Sequence, residues 1–202
     1  LIIVPLICAV FSTIYIYNSG EFIVLLVSQP LKRRTIWLSI FYGLAASLSL
    51  AFFNGAGIPI LLYHADKTGV MMIAMRLCLT VVFVGIAMLS AGLARDKAKG
   101  IGLSIMLWLY FSLIFDALAL FFLFQFQDYP LEKIMILMSF LNPIDLGRIQ
   151  ILLQMDISAL MGYTGAVFRE FFGNSLGILL SFLGLAAWAA TPLLISLRRF
   201  KK

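Results

Sequence analysis

Asn18-Ser-Gly-Glu-Phe-Ile-Val-Leu-Leu-Val-Ser-Gln-Pro-Leu-Lys-Arg-Arg-Thr35 lies between two long apolar runs and ends in three consecutive cations before the threonine. Charges are costly inside a bilayer, so Lys32, Arg33 and Arg34 mark a membrane face and not a crossing. Cytoplasmic loops collect Lys and Arg, which predicts that this face is cytosolic. Phe22–Val27 is nevertheless uninterrupted apolar sequence, unlike an ordinary soluble loop. Ser19 suits an N-cap, Glu21 suits the positive end of the helix that follows, and Pro30 stops it. The pattern predicts a short apolar helix at the cytosolic surface, too short to cross and too apolar to stand in water. We read it as a docking element, with Glu21, Phe22, Leu25, Lys32, Arg33 and Arg34 as its contacts.

Composition fixes the class. Of the 202 residues, 63% are hydrophobic and 12% charged, with a mean hydropathy of +1.07. Soluble domains carry about 25% charged residues. A single all-α domain over residues 1–202 is expected, a polytopic bundle in the lipid bilayer. The net charge of +6 comes from clusters that flank apolar runs: Lys32–Arg34, then Arg95, Lys97 and Lys99, then Arg198, Arg199, Lys201 and Lys202. Such clustering is a topology signal and not a surface for nucleic acid. Cys8 and Cys78 fall inside apolar runs and read as small hydrophobes.

The runs predict five crossings: Leu1–Tyr17, Ile36–Tyr63, Val70–Ala94, Ile101–Phe124 and Ser175–Leu197. Asn54-Gly-Ala-Gly-Ile-Pro59 should loosen the second of them near the far face. No initiator Met is present and Leu1 opens directly on apolar sequence, so we expect the natural chain to start further upstream.

One long connection, residues 125–174, is expected outside. Asn142-Pro143 followed by Asp145 has the order of a helix start, with the cap, then Pro at the first position, then an acid. From Ile144 to Met161 apolar residues interleave with Asp145, Arg148, Gln150, Gln154 and Asp156. That pattern suits an external amphipathic helix lying in the interface or packed over the crossings. A platform for an external partner is the alternative.

Taken together these segments resemble a known family. The stretch from Asn18 to Arg34 is similar to the cytosolic elbow of ABC-2-type transporter permeases, whose pattern is Gly-x-x-x-Leu-Leu-x-x-Pro-x-x-Arg with a Glu near the Gly. Asn142-Pro-Ile-Asp-Leu-Gly-Arg148, Asp156-Ile-Ser-Ala-Leu-Met-Gly162 and Gly165-Ala-Val-Phe-Arg-Glu-Phe-Phe-Gly173 resemble the segment before the last helix in NosY-type permeases, which belong to the ABC transporter that matures nitrous oxide reductase in denitrification. The resemblance implies a bacterial inner-membrane permease of six crossings, working as a homodimer. Two cytosolic ATPase subunits would bind ATP and Mg, the elbow would be the coupling helix resting on them, and a periplasmic copper-handling protein would receive the signal. Asn142, Asp145, Arg148, Asp156 and Arg169 are the residues it implies for that external partner.

The chain contains no Gly-x-x-x-x-Gly-Lys-Ser/Thr, so ATP hydrolysis would belong to another chain. With one His and no hydrolase motif, an enzyme active site is poorly supported, and no cofactor is assigned to this chain. Thioethers suit Cu(I), and Met71, Met72 and Met75 lie near His64. Met is equally a routine filler of apolar helices. Arg76 and Asp116 fall inside crossings at similar depth. They are expected to form an intramembrane ion pair, unless each reaches the interface or a water-filled cavity separately. A self-contained carrier or a lipid-acting intramembrane enzyme remains the other functional class.

Overall fold

The computed structural model describes residues 2–63, 66–94, 96–126, 132–155 and 168–200. In chain order the helices are α1 (Ile3–Asn18), α2 (Gly20–Val27), α3 (Arg33–Tyr63), α4 (Lys67–Leu93), α5 (Lys97–Gln125), α6 (Glu132–Leu141), α7 (Pro143–Gln154) and α8 (Ser175–Phe200). A further helical turn covers residues 168–172, and no strand occurs among the described residues. The architecture is a helical membrane bundle.

Helices α3, α4, α5 and α8 are each long and apolar enough to cross a bilayer. Two bent pairs, α1 with α2 at 57° and α6 with α7 at 116°, would raise the number to six if each were one span. The five expected crossings fall within this range of four to six. Helix α1 has 16 residues and passes as a candidate span together with α2. The loosening expected at Asn54–Pro59 takes the form of a π-turn at Phe53–Gly57, and a second π-turn interrupts α5 at Tyr110–Ile114.

Helix α4 is the axis. Of its most apolar stretch 61% is buried within the bundle, against 11% for α5 and 17% for α8. Its Met75, Leu79, Val82 and Phe83 share a core with Cys8 and Ala9 of α1, Phe111 of α5, Ile144 and Leu146 of α7, and Leu185 of α8. Gly85 lets α8 come close: a Cβ there would stand 3.2 Å from the Ala189 carbonyl oxygen. Lipid supplies no hydrophobic drive between helices, so small residues at such crossings let packing hold them. Ser196 of α8 then ties three helices together, accepting from Trp37 Nε1 at 2.9 Å and donating to the Met88 carbonyl at 3.0 Å.

The placement of α6 and α7 differs from the external one expected for residues 125–174. They do not lie over the bundle as external amphipathic helices but enter it as a hairpin with Asn142 at the tip. Thr68 Oγ1 donates to the Gln154 carbonyl at 3.1 Å, so α7 ends level with the start of α4. Gly147 packs against Leu79, about 16 Å further along α4. Trp188 Nε1 donates to the Phe140 carbonyl at 2.9 Å, about 20 Å into α8. The tip therefore reaches about the middle of a hydrocarbon layer some 30 Å thick.

A chain reversal at that depth has no water to satisfy it, and irregular backbone is tolerated there only inside protein. Asn142 meets the requirement with both ends of its amide. Its Oδ1 accepts the Ile144 N–H at 3.0 Å, capping α7, and its Nδ2 donates to the Phe111 carbonyl at 2.8 Å. Phe111 sits in the second π-turn. Pro143 at the first helical position wastes no donor. Ile144 and Leu146 are fully buried, and Gln150 Nε2 donates to Ser181 Oγ of α8 at 2.8 Å. Of the polar residues that produced the amphipathic pattern, Gln150 reaches Ser181 and Arg148 reaches Asp116, both on neighbouring helices.

Two outcomes follow from this placement. In a chain with Cys8 and Cys78 changed to Ala and reconstituted in vesicles, Ser139→Cys should resist an impermeant maleimide that labels Thr68→Cys. Equal labelling of both would put the hairpin on the surface. Asn142→Ala should cost about 2 kcal/mol, one cap and one buried hydrogen bond, read as a lower thermal midpoint together with faster amide exchange at Ile144–Leu146.

Candidate functional site

The cations of Lys32–Arg34, Lys97, Lys99, Arg198 and Arg199 gather at one end of the bundle, with α2 among them. The chain leaves α1 at Ser19, whose φ of −87° and ψ of 9° break the helix. The Ser19 side chain makes no capping hydrogen bond, contrary to the sequence reading; the preceding helix leads straight into the bend, and the Ser19 N–H stays with the Tyr15 carbonyl at 2.9 Å. The α2 helix ends at Val27, and Ser28 Oγ donates to the Leu25 carbonyl at 2.7 Å before Pro30 turns the chain toward α3.

Eight residues give α2 three distinct faces. Ile23 is 8% exposed and packs with Ile16, Trp37, Phe41 and Met88. Phe22 and Leu26, one turn apart, border a groove shared with α1 and α3. Glu21, Val24 and Leu25 point away from the bundle, with Val24 69% and Leu25 64% exposed. Lys32, Arg33 and Arg34 are likewise exposed. The elbow residues singled out in sequence are thus brought to one end, within and just after a short apolar helix.

What the sequence did not reveal is how the elbow is fastened. Tyr17 Oη donates to the Ala94 carbonyl at 2.8 Å, capping the last turn of α4, and Lys97 Nζ donates to Asn18 Oδ1 at 2.8 Å. Gly100 of α5 admits the Tyr17 ring, which any Cβ at that position would overlap. These partners are more than 70 residues apart, and no local pattern announces them. The elbow is thereby fastened to the end of the axial helix, whose other end meets the hairpin.

The charges inside the spans pair differently from expectation. Asp116 takes Arg148 of α7, at 2.7 Å, and Arg148 also meets Asp145 at 3.4 Å. Arg76 stands over the Phe52 ring at 5.8 Å, and its Nε is buried without a hydrogen-bond partner. The expected Arg76–Asp116 pair is therefore corrected. Insertion of α7 beside α5 supplies Asp116 with a guanidinium from the hairpin, while Arg76 is directed toward α3. Asp116, Asp145 and Arg148 line a cavity of about 230 Å³ between α5 and the hairpin.

Of the residues expected to meet an external partner, Asn142 has no exposed surface and is committed to the tip. Asp145 and Arg148 are engaged within the cluster, Arg169 is exposed in the turn at residues 168–172, and Asp156 lies outside the described residues. Met71 and Met75 are buried in the core with Met72 packed at its edge, and His64 lies outside the described residues. Among the described residues no group of three or more His, Cys, Asp or Glu side chains is arranged to hold a metal ion.

No family model matches the chain. It is similar to the probable ABC transporter permease protein NosY of Pseudomonas aeruginosa, with 26% identity over 197 residues. That alignment covers 92% of this chain and 70% of the relative. It thus takes in the elbow and the hairpin together.

Gly100→Val should unseat Tyr17 and loosen the strap. We expect faster amide exchange at Ala94 and a loss of about 1 kcal/mol in stability, with Tyr17→Phe giving a similar loss. Exchange at Ala94 unchanged in both variants would mean that the strap carries no load.

Proposed function

We propose that this chain is the membrane-spanning permease subunit of an ABC transporter and that separate cytosolic ATPase chains dock on α2. The observation that carries the reading is the outward face of α2, where Val24 and Leu25 are exposed beside Glu21 at the cationic end. Similarity to a protein named as an ABC permease supports it over the chain as a whole. The positive-inside tendency gives that end to the cytosol, and the chain carries no phosphate-binding motif of its own.

In this reading the chain is not an enzyme. ATP and Mg are bound by the partner, and closure of the ATPase pair pushes on α2. The push passes through Tyr17 to α4, and along α4 to the hairpin and its Asp116–Arg148 contact. A second copy of the permease completes the path across the inner membrane. The finer assignment, that the assembly serves copper-site maturation of nitrous oxide reductase through a periplasmic partner, rests on the resemblance to NosY-type permeases.

The decisive experiment co-purifies the chain with its ATPase in vesicles and measures stimulated hydrolysis. Glu21→Lys should lower the stimulation about tenfold, the loss expected for one central interface contact, with insertion of the chain unchanged. Wild-type stimulation in that variant, or purification of the chain without any ATPase carrying a phosphate-binding motif, would remove the basis for this function.

A further inference from the structure

The groove on the Phe22–Leu26 side of α2 poses a separate question. It has a volume of about 590 Å³, and its walls come from Phe11 and Tyr15 of α1, Phe22 and Leu26 of α2, and Ile40 and Gly43 of α3. It begins at Thr35, beside the cations, and runs to Ser47, about 18 Å along α3. That length matches one leaflet of the hydrocarbon layer, about 15 Å.

The mouth of the groove is electrostatically unbalanced. Lys32, Arg33 and Arg34 crowd the start of α3, which has no acid in its first turn and no side-chain cap. The start of a helix is already its positive end, with N–H groups pointing outward, so three cations there repel both one another and the dipole. An anion at this point relieves all of it. A long apolar slot that opens beneath such a point has the shape and charge of one lipid molecule. A protein segment would also have to bring polar backbone into the slot, where only apolar walls and a few hydroxyls await it.

We propose that the groove between α1, α2 and α3 binds one anionic phospholipid of the cytosolic leaflet, with an acyl chain along α3 and the phosphate on Lys32 and Arg34, while Arg33 borders the separate hollow at Ile23, Val24 and Val27. The lipid fills one face of the elbow helix and leaves the Glu21–Leu25 face for a protein. From the reading above, this takes only the cytosolic side of the elbow. The binding is measured without nucleotide or ATPase, so its failure is distinct from failure of the transporter assignment.

The test reconstitutes the full chain in vesicles of equal parts phosphatidylglycerol and phosphatidylcholine, extracts it in mild detergent and weighs the retained lipid by native mass spectrometry. One phosphatidylglycerol should be kept in preference to phosphatidylcholine. Lys32→Gln with Arg34→Gln should reduce that retention about tenfold. Gly43→Leu should abolish it with the thermal midpoint unchanged, because a Cβ at Gly43 meets no atom within 4 Å. Ser47→Leu, exposed in the same groove, gives an independent block if Gly43→Leu does not fold. Equal retention of the two lipids by the unaltered chain, or wild-type retention in whichever groove-filling variant folds, would overturn the proposal. So would conversion of a dimer to a monomer by Gly43→Leu, which would give the groove to a second copy of the chain.

Discussion

A backbone amide or carbonyl left unpaired in lipid has no water to fall back on, and this constraint shapes every irregular point of the bundle. Long helices satisfy it automatically. Where the chain departs from them, a side chain takes over: Asn142 at the buried reversal and Tyr17 at the end of α4. The π-turn at Tyr110–Ile114 and the hairpin tip meet in one bond, since the Phe111 carbonyl of the first accepts from Asn142 Nδ2 of the second.

The same constraint separates the two ends of the molecule. At the cationic end the chain lies near water, and α2 can expose Val24 and Leu25 because its short backbone is satisfied and a partner or headgroup is at hand. Toward the far end the Asp116–Arg148–Asp145 cluster is only partly accessible, and its charges depend on one another. Partial exposure weakens each contact, yet removing the arginine would leave two carboxylates facing each other in an apolar cavity. The cluster therefore fastens the hairpin to α5 more by the cost of its loss than by the strength of the pair. Helix α4 connects the ends, held at one by Tyr17 and packed at the other against α7.

Both misplacements of polar residues share a cause. Arg76 and Asp116 were paired by depth along adjacent helices, which is a one-dimensional measure. Rotation about each helix axis decides the partner, and a third element, α7, brings Arg148 to Asp116. The amphipathic spacing of Asp145, Arg148 and Gln150 was likewise real. Periodicity reports that one face of a helix differs from the other, and it does not report whether the polar face meets water, a headgroup or a serine of the next helix.

The amino-acid order alone determined the membrane class, the four long apolar helices, the cationic end and the short apolar helix before Lys32, because hydropathy and charge are local quantities that a bilayer reads directly. Cap chemistry at Asn142-Pro143 was legible for the same reason: a cap involves neighbours in sequence. Only the tertiary structure decided that the 132–154 segment folds inward, that Arg148 and not Arg76 answers Asp116, and that Tyr17 locks the elbow to α4. Each of these joins residues at least 30 positions apart, and the geometry that selects among many possible partners exists only once the helices have packed.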